Sequence, residues 1–300
     1  PLPAADSGRK GLDSSIAHLT SSFAIIHRDM YIRLCLATRD GVYIVKIGFF
    51  DSGVGGLTVL YQALELLPKE DYLFYADTDH VPYGEKPKDK VKQYVTEAVE
   101  FIAQQGVKAI VIACNTATSI VIEELRHKYN FPILGIEPAV KPAILESKKL
   151  QKKVLVLATR LTLQEEKYRN LVRSHDSGNM VESLALPGLV ELAETLEFTD
   201  EVVLPYLREQ LENIDVKQYG TVVLGCTHFP YFRAALRKVF GNQAELIDGS
   251  VGTVKQLQRL LGDRLEEGNG TIMFFESGRH ILDGPKLSKY RRLLNLLGEG

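Results

Sequence analysis

The sequence predicts an α/β protein of two similar, doubly wound parallel-sheet lobes with a cleft between them. Two observations carry this. Apolar strand-like runs alternate with helical stretches from Tyr43 onward, at the spacing of parallel sheets whose crossovers are helices. The two halves also repeat: VIACNTAT…HKYNFPILGIEP lies against VLGCTHFP…KVFGNQAELIDG, with 22 residues from Cys114 to Ile136 and 21 from Cys226 to Ile247. Such a repetition reads as an internal duplication, and facing lobes place both cysteines in the cleft.

In order, strand Ile44–Phe50 is followed by Asp51-Ser52-Gly53-Val54-Gly55-Gly56 and a helix LTVLYQALELLP that Pro68 ends. Strand Tyr72–Ala76 leads into a long loop, Asp77 to Pro87, and Lys90–Gln105 reads as an amphipathic helix closed by Gly106. Strand Val107–Ala113 carries Cys114 into a helix ending near Tyr129, and strand Pro132–Ile136 follows. The second half begins with strand Val154–Ala158 and a helix over Leu163–Ser174. It continues with a strand near Val181–Ala185 and a long helix over Asp200–Asn213. Strand Val222–Gly225 carries Cys226 into a helix ending near Phe240, and strand Ala244–Ile247 closes the repeat.

Residues 1–45 fit no such pattern. They are polar or broken by charge, including four aspartates, and make a poor signal or transit peptide. They are read as an N-terminal extension, disordered or non-native, outside the fold.

The 300 residues suffice for two domains of about 100 to 150 residues. Lysine and arginine number 36 against 38 acidic residues, so no charge bias points to nucleic acid or an anionic membrane. No apolar run approaches the ~18 residues of a membrane span. Three cysteines, Cys35, Cys114 and Cys226, form neither a disulfide framework nor a zinc pattern, which suggests a reducing, cytoplasmic setting.

Cys114 and Cys226 each end an apolar strand, where open α/β sheets bind ligands. A thiol with an ordinary pKa of about 8.5 suits acid–base work, and a helix N-terminus behind it stabilises the thiolate. Both cysteines are expected at such N-termini; buried structural cysteine is the alternative. His228, two residues after Cys226, is placed to relay a proton, and Asp51 to do the same for Cys114. The Asp51–Gly56 stretch matches neither phosphate-loop pattern, because no lysine follows its glycines. Its tight turn still suits an anion such as a carboxylate. Ser52, Asn115, Thr116 and Thr227 add donors at the strand ends, and each alone also reads as a helix cap. Asp77, Asp79 and His80 lack a second cluster to complete a metal shell, so no metal is assigned.

FDSGVGGLTV at 50–59, YADTDHVPYGEK at 75–86, ACNTAT at 113–118 and GCTHFP at 225–230 closely resemble the aspartate/glutamate racemase family, in particular its members acting on glutamate. LATRLT at 157–162 and LVELAE at 189–194 fit more loosely, with Leu161 replacing a glycine common in the family and Leu186-Pro187 a Cys-Pro. The resemblance covers residues 46 to about 285. It implies a flavodoxin-like fold of two lobes, 46–140 plus 250–300 and 141–249, with the C-terminal segment completing the first. It implies a cofactor-independent, two-base interconversion of L-glutamate and D-glutamate, supplying D-glutamate for peptidoglycan synthesis. Cys114 is expected to deprotonate D-glutamate and Cys226 L-glutamate. Asp51 and His228 assist, and Glu191 contributes near the second side. Asp51, Ser52, Pro82, Tyr83, Gly84, Asn115, Thr116, Thr159, Thr227 and His228 are the implied substrate contacts, and a homodimer is expected. A relative acting on aspartate, a binding protein with inert cysteines and a thiol redox enzyme are the competing readings.

Overall fold

The computed structural model describes residues 46–265 and 268–298, preceded by a two-residue antiparallel ladder between Thr38–Arg39 and Val42–Tyr43. The extension expected over residues 1–45 otherwise lies outside the described residues. In chain order the first half comprises β1 (Lys46–Asp51), α1 (Leu57–Leu66), β2 (Tyr72–Ala76), α2 (Lys88–Gln104), β3 (Val107–Ile112), α3 (Asn115–Lys128), β4 (Ile133–Gly135) and α4 (Val140–Leu150). The second half comprises β5 (Lys153–Ala158), α5 (Arg160–Gln164), α6 (Glu166–His175), β6 (Val181–Ala185), α7 (Gly188–Glu194), α8 (Asp200–Gln210), β7 (Tyr219–Leu224), α9 (Arg233–Phe240) and β8 (Glu245–Asp248). The chain then adds α10 (Ser250–Leu261), β9 (Ile272–Glu276), β10 (Arg279–Ile281) and α11 (Gly284–Gly298).

The first sheet runs β10-β9-β2-β1-β3-β4, parallel except for β10; the second runs β8-β7-β5-β6, wholly parallel. Numbering each lobe's first four strands 1 to 4, both have the order 2-1-3-4, so the duplication seen in the sequence is also a duplication of topology. In each lobe strands 1 and 3 are neighbours whose crossovers leave in opposite directions, the switch point where a crevice opens. Asp51 and Cys114 stand at the first switch point, Thr159 and Cys226 at the second.

β1 is buried along its whole length because helices cover both faces of the sheet. α2 buries Val91, Val95, Ala98, Val99 and Ile102, one stripe of a 3.6-residue period, and comes so close that a Cβ at Gly48 would lie 2.5 Å from Ile102 Cγ2. Gly106, at φ +73, ends it as the sequence anticipated. One continuous apolar cluster includes Val54 and Leu57 of the first lobe and Leu189, Phe229 and Tyr231 of the second.

Two helices differ from expectation. The stretch read as one helix over Leu163–Ser174 is two, interrupted at Glu165, which is extended (φ −71, ψ 139) and turns a buried carboxylate toward Lys88 at 2.6 Å. After Cys226 no α-helix begins. An α-turn there would need an N–H from residue 230 to the Cys226 carbonyl, and Pro230 has none. Phe229 N–H bonds that carbonyl instead at 3.0 Å, a 3₁₀ turn covers Phe229–Phe232, and α9 starts only at Arg233.

Candidate active site

On the first side, Cys114 is the N-cap of α3, with extended backbone (φ −117, ψ 118). Its Sγ accepts the Ala117 N–H at 3.5 Å, and its thiol points to Ser52 Oγ at 3.8 Å. Asp51, ending β1, is wholly buried. Its Oδ2 accepts N–H bonds from Gly53 (3.1 Å) and Gly56 (2.9 Å), and its Oδ1 accepts the Thr227 hydroxyl at 3.3 Å. Burial pushes the Asp51 carboxyl up to about 6, against the His228 charge and the two amides that favour its anion. Burial, and then the Asp51 charge, pushes the Cys114 thiol far above the ordinary range.

On the second side, Cys226 has no helix behind it, contrary to expectation. Its sulfur lies 3.6 Å from His228 Nδ1 instead, and His228 Nε2 lies 2.7 Å from Glu194 Oε1, which also accepts the Val54 N–H at 2.7 Å. Burial disfavours the imidazolium, yet the bonds and charges of Cys226 and Glu194 raise His228 well above the usual histidine range. Burial likewise opposes the Glu194 anion, but the bond and charge of His228 and the Val54 amide hold its carboxyl below the ordinary value.

The glycine turn does cradle anions, as the sequence suggested, but they are the protein's own carboxylates, Asp51 and Glu194. The lobes also meet closely here. A Cβ at Gly55 would lie 2.5 Å from His228 Nδ1, and one at Gly53 only 1.8 Å from Glu194 Oε1.

Both thiols wall one narrow cavity of about 10 Å³, together with Ser52, Tyr83, Gly84, Asn115, Thr116, Thr159, Val190, Thr227 and His228. That is room for about one water molecule, so a larger ligand requires the walls to part. Thr116 from the first lobe bonds Thr159 and Thr162 from the second at 3.0 and 3.1 Å, which joins the lobes at the cavity wall. Asn115 Oδ1 is buried there with no hydrogen-bond partner among the described residues. Leu161, the departure from the family glycine, is partly buried against the cluster containing Tyr83 and Cys114.

Of the residues singled out in the sequence, Asp51 stands one layer behind the cavity and Pro82 beside it, after a cis Val81–Pro82 bond. Glu191 is a correction: it is exposed on α7, and the carboxylate facing His228 is Glu194. On a helix, residue 194 shares the face of cavity-lining Val190, whereas residue 191 is turned about 100° away from Val190. That spacing was the signal for Glu194, and for Val190 itself. Asp77 bonds both His80 and Tyr83. Among the described residues no group of three or more His, Cys, Asp or Glu side chains could hold a metal, and no helix is long and apolar enough to cross a membrane.

A two-lobed α/β fold with paired thiols at matching switch points agrees with what sequence comparison finds: residues 62–257 match the family described as Asp/Glu/Hydantoin racemase. The chain belongs to that family and is an isomerase. Its relatives narrow the class further. Glutamate racemase 2 of Bacillus subtilis is 58% identical over 257 residues, covering 85% of this chain and 97% of that one. Glutamate racemase of Halothermothrix orenii is 52% identical, covering 83% and 99%. The crystal structure of Escherichia coli glutamate racemase, in complex with L-glutamate and the activator UDP-MurNAc-Ala, superposes with a TM-score of 0.73 at 30% identity, covering 84% of this chain and 95% of that one.

Proposed function

We propose that the protein is a cofactor-independent glutamate racemase in which Cys114 and Cys226 form a two-base pair. The supporting observation is that two buried thiols, from equivalent positions of two lobes, wall one small cavity lined mainly by hydroxyls, an amide and the His228 imidazole. Inversion at an α-carbon requires a proton removed from one face and one returned to the other, so two acid–base groups must flank the substrate. The α-proton of an amino acid is very weakly acidic, and a water-excluding site with fixed donors lowers the barrier to its loss. Ser52, Asn115, Thr116, Thr159 and Thr227 are those donors, with Tyr83 and Gly84 closing the wall.

The protonation states divide the work. Burial and Asp51 keep the Cys114 thiol protonated, so it is the acid when L-glutamate reacts, while Cys226 removes the α-proton. An α-ammonium entering beside Cys114 offsets the Asp51 charge and lets that thiol serve as base for D-glutamate. Asp51, at about 6, exchanges its proton near neutral pH on the first side. His228, oriented by Glu194 and favoured as the imidazolium, stands beside the Cys226 sulfur on the second. The two-lobe division, 46–140 plus 250–300 against 141–249, belongs to the same reading. So do action as a homodimer in the cytoplasm and supply of D-glutamate for peptidoglycan.

The test is L-glutamate in D2O without added cofactor, followed by circular dichroism and α-position NMR. Loss of optical activity with α-deuteration is expected. Exchange only with aspartate or another acid would move the substrate assignment. Cys114→Ser and Cys226→Ser are each expected to nearly abolish racemisation, and retention of most activity in either would overturn the two-base assignment.

A further inference from the structure

The hairpin at the end of the first sheet reaches the loop that carries Tyr83. β9 and β10 are joined by Ser277 and Gly278, with Glu276 paired to Arg279, so the turn has two central residues, at φ +42 and +82. Such a turn favours Asn, Asp or Gly at its first central position, and a serine held there is strained. Strain of this kind persists where a side chain has a task, and the contacts of Ser277 identify one. Its Oγ donates to Asp77 Oδ1 at 2.9 Å and accepts the Asp79 N–H at 3.0 Å.

Asp77 is 3% exposed and therefore needs donors. Besides Ser277 it has the Tyr83 hydroxyl at 2.6 Å on Oδ2 and His80 Nδ1 at 2.9 Å. His80 in turn stacks on Tyr94 at 3.8 Å. Next to this hub, Arg279 grips Asp79 with two bonds of 2.7 Å. The loop between β2 and α2 is thus tied to a hairpin about 200 residues away in the chain, and Tyr83 with Gly84 forms part of the cavity wall.

We propose that Ser277 is a positioning residue for the reaction. Acting through Asp77, it sets Tyr83, and with it Gly84, against the substrate cavity. The inference rests on the reading that this cavity takes glutamate.

Ser277→Gly is the direct test, because glycine suits the turn conformation and removes only the hydroxyl. The variant is expected to fold with an unchanged or higher melting temperature. Its KM for both enantiomers should rise about tenfold, with kcat within about threefold, the pattern of lost uniform binding. Tyr83→Phe should also raise KM, and the double variant should be no worse than Tyr83→Phe alone, since both changes break the same Ser277–Asp77–Tyr83 chain. An unchanged KM, or effects that multiply in the double variant, overturns the proposal.

Hydrogen exchange over residues 79–86 reads the bracing without substrate. It should quicken about tenfold or more in Ser277→Gly, and unchanged exchange overturns the proposal. If the unmodified protein fails to exchange glutamate's α-proton while this segment still loosens, the substrate reading fails and the bracing stands.

Discussion

Asp51 is wholly buried, and burial raises its carboxyl to about 6 from an ordinary 3.8. As pH rises, the unfolded chain gives up this proton first, so between about pH 4 and 6 the folded state binds more protons and stability falls with rising pH. The shift corresponds to about 3 kcal/mol. Asp51→Asn removes that slope, and a series of denaturation curves across this window should be flatter for the variant. Within the His228–Glu194 pair the two groups act in opposite senses. His228, raised, contributes stability that is complete below about pH 6.5 and lost as pH rises through its folded value. Glu194, lowered, contributes stability that is complete above about pH 4.5 and lost as pH falls through its folded value. Glu194→Gln is expected to cut kcat about 10²-fold by leaving His228 without its anionic partner. Glu191→Gln, on the exposed face of the same helix, should stay within about twofold in steady-state kinetics. The motif LVELAE announced an acidic residue near the second thiol; only the helix rotation identified which one.

Between strand and helix, the turn Gly53–Gly56 decides how closely the lobes approach. The glycines were legible as a tight turn, but the reason for Gly53 and Gly55 lay across the cleft, in Glu194, His228 and Thr227. Gly55→Ala would push a methyl against His228 Nδ1 and Thr227 Oγ1, at 2.5 and 2.6 Å. Its expected cost is about 1–3 kcal/mol in chemical denaturation, from overpacking, together with a kcat loss larger than that of a surface variant. The two cysteine junctions looked alike in sequence yet differ in structure. Thr118 N–H reaches the Cys114 carbonyl at 2.9 Å and starts a true helix, whereas Pro230 denies the same bond to Cys226. A helix terminus supports one thiol and an imidazole the other. That asymmetry follows from a single proline four residues downstream and could have been inferred from it.

Across the whole molecule, the lobes are tied on one side by ion pairs between the loop after β2 and the segment after β5. Arg160 reaches Glu85 at 3.1 Å and Lys88 reaches Glu165 at 2.6 Å, while Lys167 on α6 reaches Glu123 on α3 at 3.2 Å. Each pair has at least one well-exposed partner, so each is worth about 1 kcal/mol or less and is screened by salt. Raising ionic strength to about 0.5 M is therefore expected to raise KM about two- to threefold with little change in kcat. A KM independent of salt would show that these pairs do not bear on closure.

The alternation of apolar runs and the repeat around Cys114 and Cys226 determined the α/β class, the two lobes and the placing of both thiols at strand ends. These are consequences of local periodicity and chain order, which a sequence carries directly. Tertiary structure alone decided which groups support the site from elsewhere in the chain: Ser52 beside Cys114, Glu194 behind His228, and Ser277 beneath the Tyr83 loop. The carboxylates in the glycine turn were decided the same way. Those pairings join residues as much as 200 positions apart, and their protonation depends on burial, a property of the assembled cleft rather than of any segment.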